Sequence, residues 1–183
     1  ELTENETVVA RFHREARAAA RLEHPNSINV EDFGTSDAGQ LYIAMEWIGG
    51  RDLRTALAEW ELARGKSPTD LALLSQLTRG YFFLGEHLYN DGAVEDASAA
   101  LEKAVQAGEH GLMASSHTFA AEVKAGGKVA DFLHHIPPTG QGLLYWYGVS
   151  LGRFASLSGL RTMLFYQTRL FAVMTRVLEI DEN

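Results

Sequence analysis

Apolar side chains recur along most of the chain at the three- and four-residue spacing of an α-helix. The first such stretch predicts a helix over about residues 4–23. Its apolar face consists of Val8, Phe12, Ala16, Ala19 and Leu22. His24 precedes a proline, and the residue before a proline is disfavoured in helical backbone, so the helix should end there.

Two short segments after this helix are rich in β-branched and aromatic residues instead. They cover residues 28–33 and 41–47, and the turn-forming string 34–39 separates them, which predicts a β-hairpin. Gly50 or Asp52 is then placed to cap a further helix over 52–65. Because no proline or turn cluster lies within that stretch, we expect one continuous helix.

Nearly all of the remaining chain has helical periodicity. The predicted segments are a helix at 69–89, a helix containing 97–104, a helix at 111–124, a short one at 128–134, an apolar one at 141–157 and a last one reaching residue 178. Gly148 and Gly152 share a face of the apolar helix and would let a neighbouring helix approach closely. The predicted fold class is therefore mainly α.

Composition narrows the functional classes. The chain has 183 residues, a formal net charge of −8 and no cysteine. The acidic balance argues against nucleic acid as a partner, and the lack of thiols excludes disulfides and zinc–thiolate sites. The seven histidines include no metal-binding helical spacing, so we predict no metal. Neither a membrane span nor a signal peptide is apparent, so a complete chain should be cytoplasmic.

One family resemblance covers residues 8–57. Its motifs run from Phe12 to Asn26, then Val30 to Gly34, then Tyr42 to Leu53. In order and spacing they resemble bacterial Ser/Thr protein kinases from helix αC through strands β4 and β5 and the hinge to the start of αD. The resemblance implies that Glu15 is the αC glutamate that pairs with a lysine of strand β3.

The rest of the kinase machinery is not found in the sequence. No lysine precedes Lys66, no glycine-rich phosphate loop precedes Glu15 and no His-Arg-Asp motif follows. Asp32-Phe33-Gly34 imitates the magnesium-binding motif but lies in the β4 region, only 17 residues after Glu15. Because phosphoryl transfer depends on positioning by those groups, we expect no enzymatic activity, no catalytic residue and no cofactor.

The region after residue 55 has the spacing of tetratricopeptide repeats. Small residues recur where two helices would cross, and larger ones where they would fill the groove between them. The predicted repeat positions are Tyr81, Leu84, Gly85, Leu88, Ala97, Leu101 and Ala104. Residues 1–55 and 56–183 are therefore predicted to be two domains, a kinase-like fragment and a tetratricopeptide-like array.

A second resemblance covers residues 58–183. Its motifs are Leu77 to Glu86, Leu144 to Ala155 and Met174 to Asp181. They resemble the T-component (TatT) family of TRAP transporters, which are helical periplasmic proteins that associate with a substrate-binding subunit. The resemblance implies a periplasmic location, a protein partner of that kind and the possibility of a homo-oligomer.

The aromatic run in the apolar helix is the candidate binding site. Tyr145 and Trp146 could line a ligand or partner surface together with Arg153, or could simply pack between helices. Further along, Arg161, Arg169 and Arg176 follow at a spacing of about two helical turns. With Arg153 they could form an anion-binding stripe, but we expect all four arginines to be solvated surface charges.

The favoured hypothesis is a non-catalytic TatT-like component of a TRAP transporter. One alternative is an inactive kinase fragment fused to a helical repeat module in signalling. Another is a chimeric junction of two fragments without an evolved joint function.

Overall fold

The computed structural model describes residues 6–24 and 27–182, and it divides into two compact units after Gly50. We call them the amino-terminal unit and the helical unit. The fold is mainly α, with a helix plus a β-hairpin in the first unit and helices throughout the second, as the sequence predicts.

The amino-terminal unit contains one helix and one antiparallel hairpin. Helix α1 (Glu6–Ala19) precedes strands β1 (Val30–Thr35) and β2 (Leu41–Met45). Phe33 pairs with Ile43 across the hairpin, and a register shift follows Val30. Ala16 is buried, and the ring of His13 lies 6.1 Å from that of Phe33, so α1 packs on β1.

Helix α1 is shorter than the predicted 4–23. After Ala19 the chain forms a 3₁₀-type turn, in which the amides of Arg21 and Leu22 donate to carbonyls three residues earlier. Leu22 therefore leaves the apolar face and is 58% exposed. Residues 4 and 5 of the predicted helix, and Pro25 and Asn26, lie outside the described residues.

The helical unit begins with α2 (Leu53–Lys66), which is unbroken as predicted. The Asp52 carboxylate accepts hydrogen bonds from the amide and the hydroxyl of Thr55, at 3.0 and 2.7 Å. A side chain that accepts from the first turn satisfies an amide that the helix itself leaves without a partner, which fixes where α2 begins.

Helices α3 (Leu71–Asn90) and α4 (Val94–Ser115) form the central hairpin. Asp70 caps α3 by accepting from the amide of Leu73, and Gly92 turns the chain with a φ of 82°. The predicted helix over 111–124 is wrong, because α4 continues through Gly111 and ends at Ser115. Ser116 is extended and its hydroxyl accepts from the amide of Phe119, which starts a new helix.

That new helix is α5 (His117–Lys124). Three 3₁₀ turns follow at Val129–Asp131, Leu133–His135 and Pro138–Gly140, in place of the single short helix predicted at 128–134. Helix α6 (Gln141–Leu157) matches the predicted apolar helix, and α7 (Leu160–Asp181) completes the described chain. None of the described helices is both long and apolar enough to cross a bilayer.

The main core of the helical unit lies among α4, α5, α6 and α7. Its fully buried members include Leu112, Phe119, Leu144, Tyr147, Leu151 and Val173. Glycines let these helices meet: a Cβ atom on Gly148 would lie 2.9 Å from both Met174 and Val173. The close approach predicted at Gly148 and Gly152 is therefore that of α6 to α7.

Candidate functional site

Glu15, the glutamate that the kinase resemblance singles out, lies on the exposed surface of α1. Its carboxylate pairs with the guanidinium of Arg11 one turn earlier, at 2.8 Å. The hydrogen bond from Arg11, and then its charge, lower the pKa of Glu15. The carboxylate is thus ionised at neutral pH and accessible to a second cation that could displace Arg11.

Two further carboxylates of the amino-terminal unit, those of Asp32 and Glu46, form hydrogen bonds within the hairpin region. Asp32 accepts from the amide of Phe33 at 2.9 Å and from the Tyr42 hydroxyl at 2.8 Å. Glu46 accepts from the backbone and side-chain amides of Asn29, at 2.9 and 3.2 Å. Asp32 belongs to β1 itself, which agrees with the prediction that Asp32-Phe33-Gly34 is not a magnesium motif here.

Trp146 of α6 packs into an aromatic cluster with α3. Its ring lies 5.6 Å from Phe82 and 5.5 Å from Phe83, and the guanidinium of Arg79 sits 5.3 Å above it. Tyr145 meets the Trp146 ring edge-on at 5.3 Å and is 42% exposed. The geometry favours helix packing for Trp146 and leaves Tyr145 at the surface.

Arg153 lies two turns further along α6 and also faces α3. It forms an ion pair with Glu86, and its guanidinium stacks 4.2 Å above the ring of Tyr89. Arg153 and Trp146 thus contact the same helix, but the guanidinium already has a carboxylate and an aromatic partner. A ligand role for Tyr145, Trp146 and Arg153 stays a prediction.

The predicted repeat positions lie where α3 meets α4. A Cβ atom on Gly85 would come within 2.7 Å of Leu101 Cγ and 3.3 Å of the Ala97 carbonyl. Tyr81 and Leu88 on α3, and Leu101 and Ala104 on α4, are buried, while Leu84 is half-buried. The predicted close approach at Gly85 is present, whereas the assignment to a repeat family stays a prediction.

A charged cluster in the helical unit was not apparent from the sequence. The Tyr147 hydroxyl donates to Glu109 Oε1 at 3.0 Å, and Arg169 Nη1 donates to the same oxygen at 2.5 Å. Burial, and then the charge of Glu109, raise the pKa of Tyr147, so the phenol stays neutral and donates.

Arg169 is not a solvated charge, and neither is Arg176, which donates at 3.0 Å to the Ile136 carbonyl. The prediction of solvated charge is wrong for Arg153, which pairs with Glu86, and for these two residues. Their partners lie 40 and 60 residues away along the chain, so sequence spacing could not reveal them.

Comparison with known proteins relates part of the chain to protein kinases. It is 54% identical over 66 residues to the serine/threonine-protein kinase pkn3 of Myxococcus xanthus, which is 36% of this chain and 12% of the kinase. It is 38% identical over 90 residues, 46% of the chain, to the tyrosine-protein kinase MasK of the same species, and 40% identical over 76 residues, also 40% of the chain, to the serine/threonine-protein kinase PksC of Streptomyces coelicolor. No family model matches the chain.

These similarities correct the expectation that the chain is not an enzyme, because the part of the chain that matches, about a third of its length, is related to kinases. The aligned segments span only about a tenth of each of these kinases, 12%, 13% and 14% in the three examples. Such short matches leave out most of each kinase, so elements such as the phosphate loop would lie outside the aligned segment. The comparisons give no support to a TatT or transporter role.

Proposed function

We propose that the chain is part of a kinase-related bacterial signalling protein, in which the amino-terminal unit forms the segment from αC to the hinge. The observation that supports this most is 54% identity over 66 residues to a serine/threonine-protein kinase. The order of elements agrees, with α1 followed by two antiparallel strands. The motifs of residues 12–53 also follow the kinase order.

In this proposal Glu15 orients a lysine that holds the phosphates of ATP. Such a pair is required for phosphoryl transfer in protein kinases. Glu15 is suited to it because its carboxylate is ionised and exposed on α1. A lysine from elsewhere in the longer protein would have to replace Arg11, so the Arg11 contact represents a state without that lysine.

The helical unit would then be a protein-binding module joined to the kinase-like segment. Its support is the spacing of residues 81–104 and the close packing of Gly85 against Leu101. Helical hairpin arrays commonly present extended surfaces to protein partners.

The test is to place residues 6–50 of this chain into pkn3 in exchange for the residues that align with them, and to measure phosphate transfer from labelled ATP. If the segment is a kinase segment, the hybrid should be active. Glu15→Gln in the hybrid should then lower kcat about tenfold or more, as expected when a charge-assisted contact is lost.

Glu31→Gln is the matched control, because it removes the same charge from an exposed residue of β1 whose carboxylate pairs with no residue in the part of the chain that the structure describes. A hybrid that melts cooperatively but transfers no phosphate would count against the proposal. So would equal rates for the two glutamine variants.

A further inference from the structure

A groove of about 680 Å³ opens beside the Glu109–Tyr147–Arg169 cluster. Its walls come from α4, from residues 127–130 and from the part of α7 that carries Phe165 to Arg169. This volume is within the range of small-molecule sites, about 300–1,000 Å³. The groove lies wholly within the helical unit and is independent of the kinase proposal.

The side chains that line the groove carry more positive than negative charge. Lys128 and Arg169 are cations, and Glu109 is the one carboxylate among the described lining residues. Arg169 Nη1 already donates a hydrogen bond to the Glu109 carboxylate, and the Tyr147 hydroxyl also donates to that carboxylate. The ammonium group of Lys128 forms no ion pair or hydrogen bond with any residue that the structure describes, although the Lys128 carbonyl accepts from the amide of Asp131. One positive charge is therefore left for a ligand.

The groove is also lined by two aromatic side chains. Phe165 and Tyr166 meet edge-to-face at 4.9 Å, and the Arg169 guanidinium lies 5.3 Å from the Tyr166 ring. Phe165 is 74% exposed although it is one of the largest apolar side chains. A flat apolar group laid against Phe165 would remove that surface from water, which is favourable.

We propose that this groove binds a planar aromatic monocarboxylate, whose ring packs on Phe165 and whose carboxylate pairs with Lys128. A single surplus cation suits a monoanion better than a polyphosphate, which would need several cationic or amide donors. The Glu109 carboxylate also disfavours a ligand with several negative charges, since like charges repel at short range.

The experiment is a titration of the isotopically labelled chain with 2-naphthoate, followed by amide chemical shifts. We expect a Kd on the order of 0.1–1 mM, typical of so small a ligand. The shifts should be concentrated at residues 127–130 and 165–169. The neutral amide 2-naphthamide has the same shape, and it should bind about tenfold more weakly because it cannot pair with Lys128.

Two pairs of variants identify the groups responsible. Lys128→Gln should weaken binding about tenfold, whereas Lys124→Gln, outside the groove, should not change it. Phe165→Ala should also weaken binding, whereas Phe171→Ala, which is equally exposed on α7 but does not line this groove, should not. Shifts located elsewhere, equal affinity for the amide or unchanged affinity in Lys128→Gln would each overturn the proposal.

Discussion

The two units bury their apolar side chains to very different degrees. In the helical unit, Leu74, Leu101 and Leu144 are fully buried, as are many of their neighbours. In the amino-terminal unit, Met45, Trp47 and Ile48 are 55%, 93% and 62% exposed. Since burial of apolar surface is the main favourable contribution to folding, the helical unit has the means to fold by itself and the hairpin does not.

Local polar contacts take the place of a core in the amino-terminal unit. The Asp32–Tyr42 hydrogen bond joins its two strands, and the Asn29–Glu46 hydrogen bonds join the residues just beyond them. Two-stranded hairpins are marginal in water, so such bonds only limit the fraying of the strands. The amino-terminal unit therefore needs a partner surface to cover its apolar side chains, whereas the helical unit covers most of its own.

The largest expected effect contrasts one buried and one exposed aliphatic side chain. Leu101→Ala should lower the free energy of unfolding by about 2–5 kcal/mol, because it leaves a cavity between α3 and α4. Ile43→Ala, at a position that is 40% exposed, should change it by about 0.5 kcal/mol or less. Urea unfolding followed by far-UV circular dichroism measures both. Similar losses for the two variants would contradict the comparison.

The next effect tests packing at the glycines of the helical unit. Gly85→Leu should cost about 1–3 kcal/mol, because even a Cβ atom there would collide with Leu101. Gly142→Leu is the control, since a Cβ atom at that helical glycine meets open space. Thermal melting should show a lower Tm for Gly85→Leu and an unchanged or higher one for Gly142→Leu. Equal melting of both would mean that α4 moves aside easily.

Sequence patterns sufficed for elements whose boundaries are set locally. Asp52 caps α2 with its own carboxylate, so the start of that helix was visible in the sequence. Pro137, Gly140 and Gly159 likewise bracket α6 and α7. The kinase resemblance also depended on contiguous motifs, and the comparisons confirm it for about a third of the chain.

The patterns failed where a distant residue decides the outcome. The spacing predicted a helix that begins at Gly111, but α4 passes through both Gly108 and Gly111, where Tyr147 and Leu143 occupy the space that side chains would fill. Glu109 stood between those glycines without any visible role. Its partners are 38 and 60 residues away, so only the folded structure brings the cluster together.

A third prediction compares backbone protection in the two units. Amides from Leu53 to Ala63 should exchange slowly and without a break, because α2 is continuous and Leu57 is buried against α3. Amides of residues 28–47 should exchange faster, since few apolar contacts cover them. Hydrogen exchange read by NMR resolves both segments. Fast exchange at residues 56–59, or strong protection of the hairpin, would contradict the expectation.

The smallest expected effect concerns two tyrosines whose pKa values are raised for different reasons. Burial, and then the hydrogen bond to Glu61, raise the pKa of Tyr81 to about 12. The hydrogen bond to Asp32 is the main cause that raises the pKa of the exposed Tyr42. Asp32→Asn should therefore return the pKa of Tyr42 toward its ordinary value, whereas Glu61→Gln should leave that of Tyr81 raised by burial.

The raised pKa of Tyr81 also makes the stability of the folded chain depend on pH. Because the pKa of Tyr81 is higher in the folded than in the unfolded chain, its contribution is present below about pH 10 and is lost as the pH rises toward 12. Carbon chemical shifts of the tyrosine rings, followed with pH, assign each titration to its residue. If Glu61→Gln restored an ordinary pKa to Tyr81, the hydrogen bond would be its main cause and the two units would hold their tyrosines in the same way.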